Sequence, residues 1–166
     1  MKIQEGRVSI EEAVEIGTGG QEPLLADIFL PPKEEFNRPA ILFVHGGGWI
    51  EGDRSQLRGY GILLARLGFV TMCNSYRLSN EAHWPAQIQD VKCAIRYLRA
   101  NAQKLGIDPE RIGVSGNSAG GHLSLMAAAT LYDDSFEGDG GNNDVSSKVK
   151  ATCAIYPPTT IRQLDL

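Results

Sequence analysis

The sequence predicts an α/β domain with a mostly parallel sheet and helices on both faces, on the strength of three observations. Short continuous apolar runs alternate with longer stretches whose apolar residues step by three and four. The runs lack the polar alternation of a half-exposed strand, so they belong in a sheet covered on both sides. The stretches between them are long enough for the crossover helices that a parallel sheet requires.

Arg7 to Ile16 and Leu24 to Leu30, separated by Gly17-Thr18-Gly19-Gly20, are expected to form an antiparallel pair that Pro31-Pro32 ends. Ala40 to Val44 is a buried strand between Pro39 and His45-Gly46-Gly47-Gly48. Ser55 to Leu67 predicts a short helix with Leu57, Tyr60, Leu64 and Leu67 inward, stopped by Gly68 before the strand Phe69 to Cys73. Pro85 suits a first helical turn, and Ile88, Val91, Ile95, Leu98, Ala102 and Leu105 then line one apolar stripe. Lys92, Arg96 and Arg99 are expected on the opposite face, with Arg77, Asp90 and Arg96 as an ion-pair set bracing the helix. Arg111 to Ser115 and Val149 to Tyr156 are further strands. Ser118 to Leu131 is apolar or small nearly all round, as a central buried helix should be, and Asp133 to Ser147 is an acidic, Gly/Asn-rich surface loop.

The length of 166 residues fits one domain, residues 1–166. Twenty acidic against 16 basic side chains give a net charge of −4, and the cations are scattered, so neither nucleic acid nor an anionic membrane is an expected partner. No apolar h-region follows Met1, and no stretch approaches the roughly 18 apolar residues of a membrane span. Cys73, Cys93 and Cys153 are odd in number and set among apolar neighbours, which predicts small core residues rather than a disulfide framework or zinc site. A soluble, cytoplasmic protein is the expectation. Asp133, Ser135, Glu137, Gly138 and Asp144 fall near the spacing of a calcium loop, but Glu at its fifth position and Gly140 at its eighth do not suit one, so no metal is expected.

Chemistry concentrates in two glycine-rich turns. Gly116-Asn117-Ser118-Ala119-Gly120-Gly121 lies directly between a strand and an apolar helix, a G-x-S-x-G elbow that holds the Ser118 hydroxyl above the sheet edge. The following helix directs its positive N-terminal end at the same spot. His45-Gly46-Gly47-Gly48-Trp49 leaves the central strand, and consecutive glycines allow several backbone N–H groups to face one developing oxyanion.

These turns, with YRLSNEAHWPAQIQD at 76–90, IDPERIGVSGNSAGGHL at 107–123 and VSSKVKA at 145–151, make the chain resemble the α/β-hydrolase carboxylesterases. Within them it is similar to the hormone-sensitive-lipase-like and acetyl- or feruloyl-esterase-like branch. The resemblance covers nearly everything from about Ala40 onward. It implies Ser118 as nucleophile, the N–H groups of Gly47, Gly48 and Ala119 as oxyanion hole, and His45 as a brace for the glycine loop. Gly46, Gly116 and Gly120 are motif positions. Asn117 stands where many relatives have Asp.

A serine hydroxyl needs a histidine to take its proton, and a carboxylate to orient that histidine. In this fold the order along the chain is Ser, acid, His. After Ser118 the one histidine is His122, about one turn into the nucleophile's own helix and so beside or beneath the elbow, while His83 is expected to line a loop or pocket. Asp165 is followed by a single residue. The resemblance therefore implies the N-terminal portion of a hydrolase, with the acid and histidine lying beyond Leu166. A fragment is the first explanation, a partner chain or second copy that covers the exposed last strand and donates a histidine the second, and an inactive remnant the third. The expected activity is hydrolysis of a small-molecule ester with a short acyl group, without cofactor; a formamidase-like amide hydrolase and a non-catalytic module are the alternatives. Tyr76, Trp49 and Trp84 are candidates for lining the substrate pocket.

Overall fold

A computed structural model describes residues 3–33 and 35–160. Six strands form one sheet: β1 (Ser9–Gly19), β2 (Glu22–Leu30), β3 (Arg38–Val44), β4 (Val70–Asn74), β5 (Ile107–Asn117) and β6 (Ala151–Ile155), in the order β1-β2-β4-β3-β5-β6. β4, β3, β5 and β6 run parallel, and β1 and β2 join antiparallel at one edge, so the sheet is mostly parallel as the sequence predicts. The helices are α1 (Arg58–Ala65), α2 (Ala86–Ala100), α3 (Ala102–Leu105) and α4 (Ala119–Ala129), with a 3-10 turn at Asp134–Phe136. Among the described residues no helix is long and apolar enough to cross a membrane.

Strand pleating sorts the core into two layers. Ala40, Leu42 and Val44 face one side, where α2 and α4 add Ile88, Val91, Ile95, Leu98 and Leu123 to the larger cluster. Phe43 faces the other side with Phe29, Cys73 and the Leu57 and Ala65 of the α1 segment. Burial in this layer pushes the Cys73 thiol up to about 12, which keeps it an inert apolar group at neutral pH.

Several expectations need correction. The β1–β2 turn is tight, at Gly20-Gln21, and Gly17 to Gly19 belong to the strand, which absorbs them through two register shifts. On α1, Tyr60 is 53% exposed, because Gly61 is the residue that meets the sheet: a methyl group there would sit 2.8 Å from the Phe29 ring. The helix from Pro85 breaks at Asn101 into α2 and α3. α4 is not buried all round, since Leu125 and Ala129 face outward. β6 is not covered on both faces and Cys153 is exposed, because α1 packs chiefly on β2 and β4 and leaves β5, β6 and the first residues of β3 open on that side. The result is an open apolar groove of about 490 Å³ lined by Ile41, Phe69, Gly113, Ser115, Ala151 and Cys153 among others.

The largest correction concerns the polar face of α2. Lys92 and Arg96 are 0% and 2% exposed, beneath the loop that follows α4. Glu137 from that loop neutralises them, its carboxylate taking Lys92 Nζ at 2.7 Å and Arg96 Nη1 at 2.8 Å. Burial raises the Glu137 pKa, but hydrogen bonds from Lys92 and Ser147 and the two cationic charges outweigh it and hold the carboxyl below its ordinary value. Arg96 thus pairs with Glu137 rather than with Asp90, which Arg77 alone grips, at 2.6 Å. The acidic loop is accordingly a strap over α2, and Asp133 spends its carboxylate on Ser135. Glu137→Ala is expected to cost about 3 kcal/mol in denaturant unfolding, the low end for breaking a buried pair because Glu137 itself is 30% exposed.

Candidate active site

Register brings the two glycine turns together. Val44, the last residue of β3, pairs with Gly116 of β5 and with Asn74 of β4, so the loop after β3 and the elbow after β5 leave the sheet side by side. Such carboxyl ends are where α/β sheets bind ligands.

The elbow depends on glycine at two places where backbone meets backbone. A methyl group on Gly120 would lie 2.0 Å from the Val44 carbonyl oxygen and 2.4 Å from that of His45; one on Gly116 would lie 2.5 Å from the Val44 oxygen. No larger residue leaves room for this approach. Ser118, between them, has φ 51° and ψ −120°, a conformation that side chains rarely adopt and that the packing on either side enforces. Its N–H donates to the Ile155 carbonyl at 3.0 Å, which ties the elbow to β6. Ala119 opens α4, so its N–H is among the first-turn donors that the helix itself leaves unpaired.

The glycine loop is braced from three sides. The Gly46 N–H donates to Gln56 Oε1 at 2.8 Å and is therefore withdrawn from any oxyanion. The Gly47 carbonyl accepts from Ile50 and Glu51 N–H, closing a tight turn with Gly47 at φ 115° and Gly48 at φ 59°. Beneath it, His45 stacks on Tyr76 at 4.2 Å between ring centroids, and the Tyr76 hydroxyl donates to the His45 carbonyl at 3.1 Å. His45 Nδ1 lies 2.7 Å from the Gly46 carbonyl, an acceptor, so Nδ1 carries the proton. Burial lowers the His45 pKa, favouring the neutral ring, whose buried Nε2 has no hydrogen-bond partner among the described residues. It is a packed strut beside the loop.

Tyr76, 3% exposed, belongs to this support through its stacking on His45 and its hydrogen bond to the His45 carbonyl. Trp49 and Trp84 both lie against His122, which is one turn along α4 from Ser118. The His122 ring lies 5.3 Å from Trp49, at 90°, and 5.9 Å from Trp84. Burial lowers the His122 pKa as well, and its buried Nδ1 has no hydrogen-bond partner among the described residues. His83 is exposed. Asn117 Nδ2 donates to the Tyr156 hydroxyl at 3.2 Å, one residue before Ser118. Asp165 lies outside the described residues. Gln56 and Tyr156 are site residues that sequence reasoning missed, since nothing in their local pattern marks them.

The strand–elbow–helix geometry and the braced glycine loop supply a candidate nucleophile and backbone donors for acyl transfer. Comparison with known proteins shows similarity to esterases. The BD-FAE family model matches residues 26–166. The chain is 38% identical to arylacetamide deacetylase of Oryctolagus cuniculus over 146 residues, 84% of this chain and 34% of that protein. It is 41% identical to the esterase LipC of Mycobacterium tuberculosis over 120 residues, 71% of this chain and 29% of that protein. The butyrate-bound structure of the Thermogutta terrifontis esterase Est2 superposes with a TM-score of 0.77 at 30% identity, over 90% of this chain and 53% of that one. The chain thus spans about a third of the length of the curated relatives it matches. With six strands in the order described and a family match across 26–166, the chain belongs to the BD-FAE family of α/β-hydrolase carboxylesterases.

Proposed function

We propose that this chain carries the nucleophile half of a short-acyl carboxylic ester hydrolase. Ser118 attacks the ester carbonyl, the alcohol leaves, and water releases the acyl group from the serine. The Gly47, Gly48 and Ala119 N–H groups hold the oxyanion of both tetrahedral intermediates. The observation that carries the reading is Ser118 held at φ 51° between two backbone contacts that admit only glycine. Strain of this kind persists where the surroundings impose it, and an elbow that presents a hydroxyl is a reason to impose it.

The proton acceptor and its acid come, in this reading, from outside the 166 residues. His45 directs Nδ1 at the Gly46 carbonyl, the His122 ring lies against Trp49 and Trp84, and among the described residues no hydrogen bond joins the Ser118 hydroxyl to a histidine, which a base within reach would supply. The apolar groove over β3, β5 and β6 supports the same view, since further chain or a second copy covering it would bring new residues to this side of the molecule. The butyrate held by the Est2 relative favours a short acyl group.

The test is a panel of chromogenic acetyl, butyryl and octanoyl esters, with an aryl formamide alongside, offered to the full-length product of the gene. kcat/KM is expected to be highest for acetyl or butyryl. A preference for the formamide would replace the reading with amide hydrolysis, and inertness toward the whole panel in a folded protein would replace it with a non-catalytic module.

A further inference from the structure

Arginine keeps its charge throughout the physiological range and carries donors on all three guanidinium nitrogens, so a buried one needs several acceptors. Arg96 is 2% exposed beneath the loop that follows α4. Its Nε donates to the Gly141 carbonyl at 3.0 Å, and its Nη1 donates to the Glu137 carbonyl at 2.9 Å and to the Glu137 carboxylate at 2.8 Å. Nη2 is buried as well and has no hydrogen-bond partner among the described residues. A buried donor without an acceptor is costly, the more so on a cation, and nearly all such groups in native folds are matched.

Arg96 also lines a cavity of about 400 Å³ between α2 and that loop. Asp134, Asn143, Ser146 and Lys148 share the wall, and none of the lining residues belongs to either glycine turn. The wall is rich in donors. Lys148 Nζ rides over the Tyr132 ring at 3.9 Å, which steadies the ammonium without giving it an acceptor. Ser146 Oγ accepts from the Lys148 N–H at 3.1 Å and keeps its own proton to donate. Charge leans the same way. Lys92 and Arg96 share the single carboxylate of Glu137, and Lys148 offsets Asp134, so one positive charge is left over. A guanidinium nitrogen with unengaged N–H groups and an ammonium in the same wall suit an oxyanion. The volume exceeds that of a bare phosphate, so the oxyanion is one carried on a small organic body.

We propose that this cavity is a second ligand site, separate from the elbow, which binds a small organic oxyanion through Arg96 Nη2 and Lys148. The inference does not rest on Ser118 chemistry and can be tested without turnover. The oxyanion is either a carboxylate or a phosphate group, and three probes with the same three-carbon body tell these apart: glycerate, glycerol phosphate and, as the uncharged control, glycerol.

Calorimetric titration of the full-length gene product, with chloride holding ionic strength constant, is expected to show saturable binding of at least one charged probe. Its dissociation constant should be at least roughly tenfold lower than that of glycerol. The tighter of the two charged probes identifies the group. Arg96→Lys removes Nη2 but also disturbs a buried pair, so the deciding variants are at Lys148 and Asp134, both exposed and expected to leave the fold intact. Lys148→Gln should raise the dissociation constant roughly threefold to tenfold, by removing a charge-assisted partner. Asp134→Asn should lower it roughly twofold to fivefold, by removing a like charge. Ser118→Ala should bind as wild type does, so an inactive elbow would leave this site standing. Absence of saturable binding, or binding that neither Lys148→Gln nor Asp134→Asn changes, would overturn the proposal. Glycerol binding as tightly as the charged probes, and weakened by Asp134→Asn, would replace the oxyanion with a polyol held by the Asp134 carboxylate.

Discussion

Ser118→Ala is expected to lower ester turnover by the full-length gene product about a million-fold, the loss seen when a serine hydrolase is deprived of its nucleophile. The informative companion is Ser118→Gly. At φ 51° and ψ −120° the Ser118 backbone sits where a Cβ costs about 1 to 3 kcal/mol. Glycine removes that cost but gives the unfolded chain more freedom, worth roughly 0.5 to 1 kcal/mol in the other direction. The balance predicts a Ser118→Gly protein about 1 kcal/mol more stable than wild type and as inactive as Ser118→Ala. Activity and stability would then move in opposite directions at one residue, the mark of strain kept for function. The 166-residue chain by itself is expected to hydrolyse a chromogenic acetyl ester no faster than its own Ser118→Ala variant. Serine-dependent turnover at enzyme rates in that chain would mean that a base is already within it, and the proposed division of the triad would fail.

The turns were legible in the sequence because backbone geometry restricts residue type there. Gly116, Gly120 and the Gly46 to Gly48 run advertise close approach and positive φ, and the structure puts Gly47 and Gly48 at positive φ and Gly116 and Gly120 against β3. The parallel strands were legible too, since β3 and β4 read as unbroken apolar runs. What pattern could not show was what lies over a polar face. Lys92 and Arg96 occupy positions that read as solvent-exposed on α2, and one carboxylate, 41 residues from Arg96, converts them into core. Tyr60 failed for a related reason: helical spacing pointed it inward, while Gly61 offers the closer contact to Phe29. The braces of the glycine loop, Gln56 and Tyr76, act through single hydrogen bonds across the fold, and periodicity carries no trace of those.

Gly120→Ala isolates how much the site depends on backbone contact. By helix propensity alone the change should help, since alanine in a helix is favoured over glycine by roughly 1 kcal/mol. Gly59 in α1 is the control: nothing lies within 4 Å of its virtual Cβ, so Gly59→Ala is expected to raise stability by up to that amount. At Gly120 the added methyl would overlap the carbonyl oxygens of Val44, which ends β3, and of His45 just after it, at 2.0 and 2.4 Å, and neither can swing aside as a side-chain tip does. The oxygens belong to Val44, which pairs with β4 and β5, and to His45, which opens the glycine loop. Relief therefore requires α4 to lift from β3, taking Ser118 with it. Steric cost should exceed propensity gain by a wide margin, giving a net loss of at least about 3 kcal/mol in denaturant unfolding. An unfolding midpoint for Gly120→Ala equal to or above that of wild type would show that elbow and glycine loop are not locked together, and the oxyanion site proposed for Gly47, Gly48 and Ala119 would lose its structural basis.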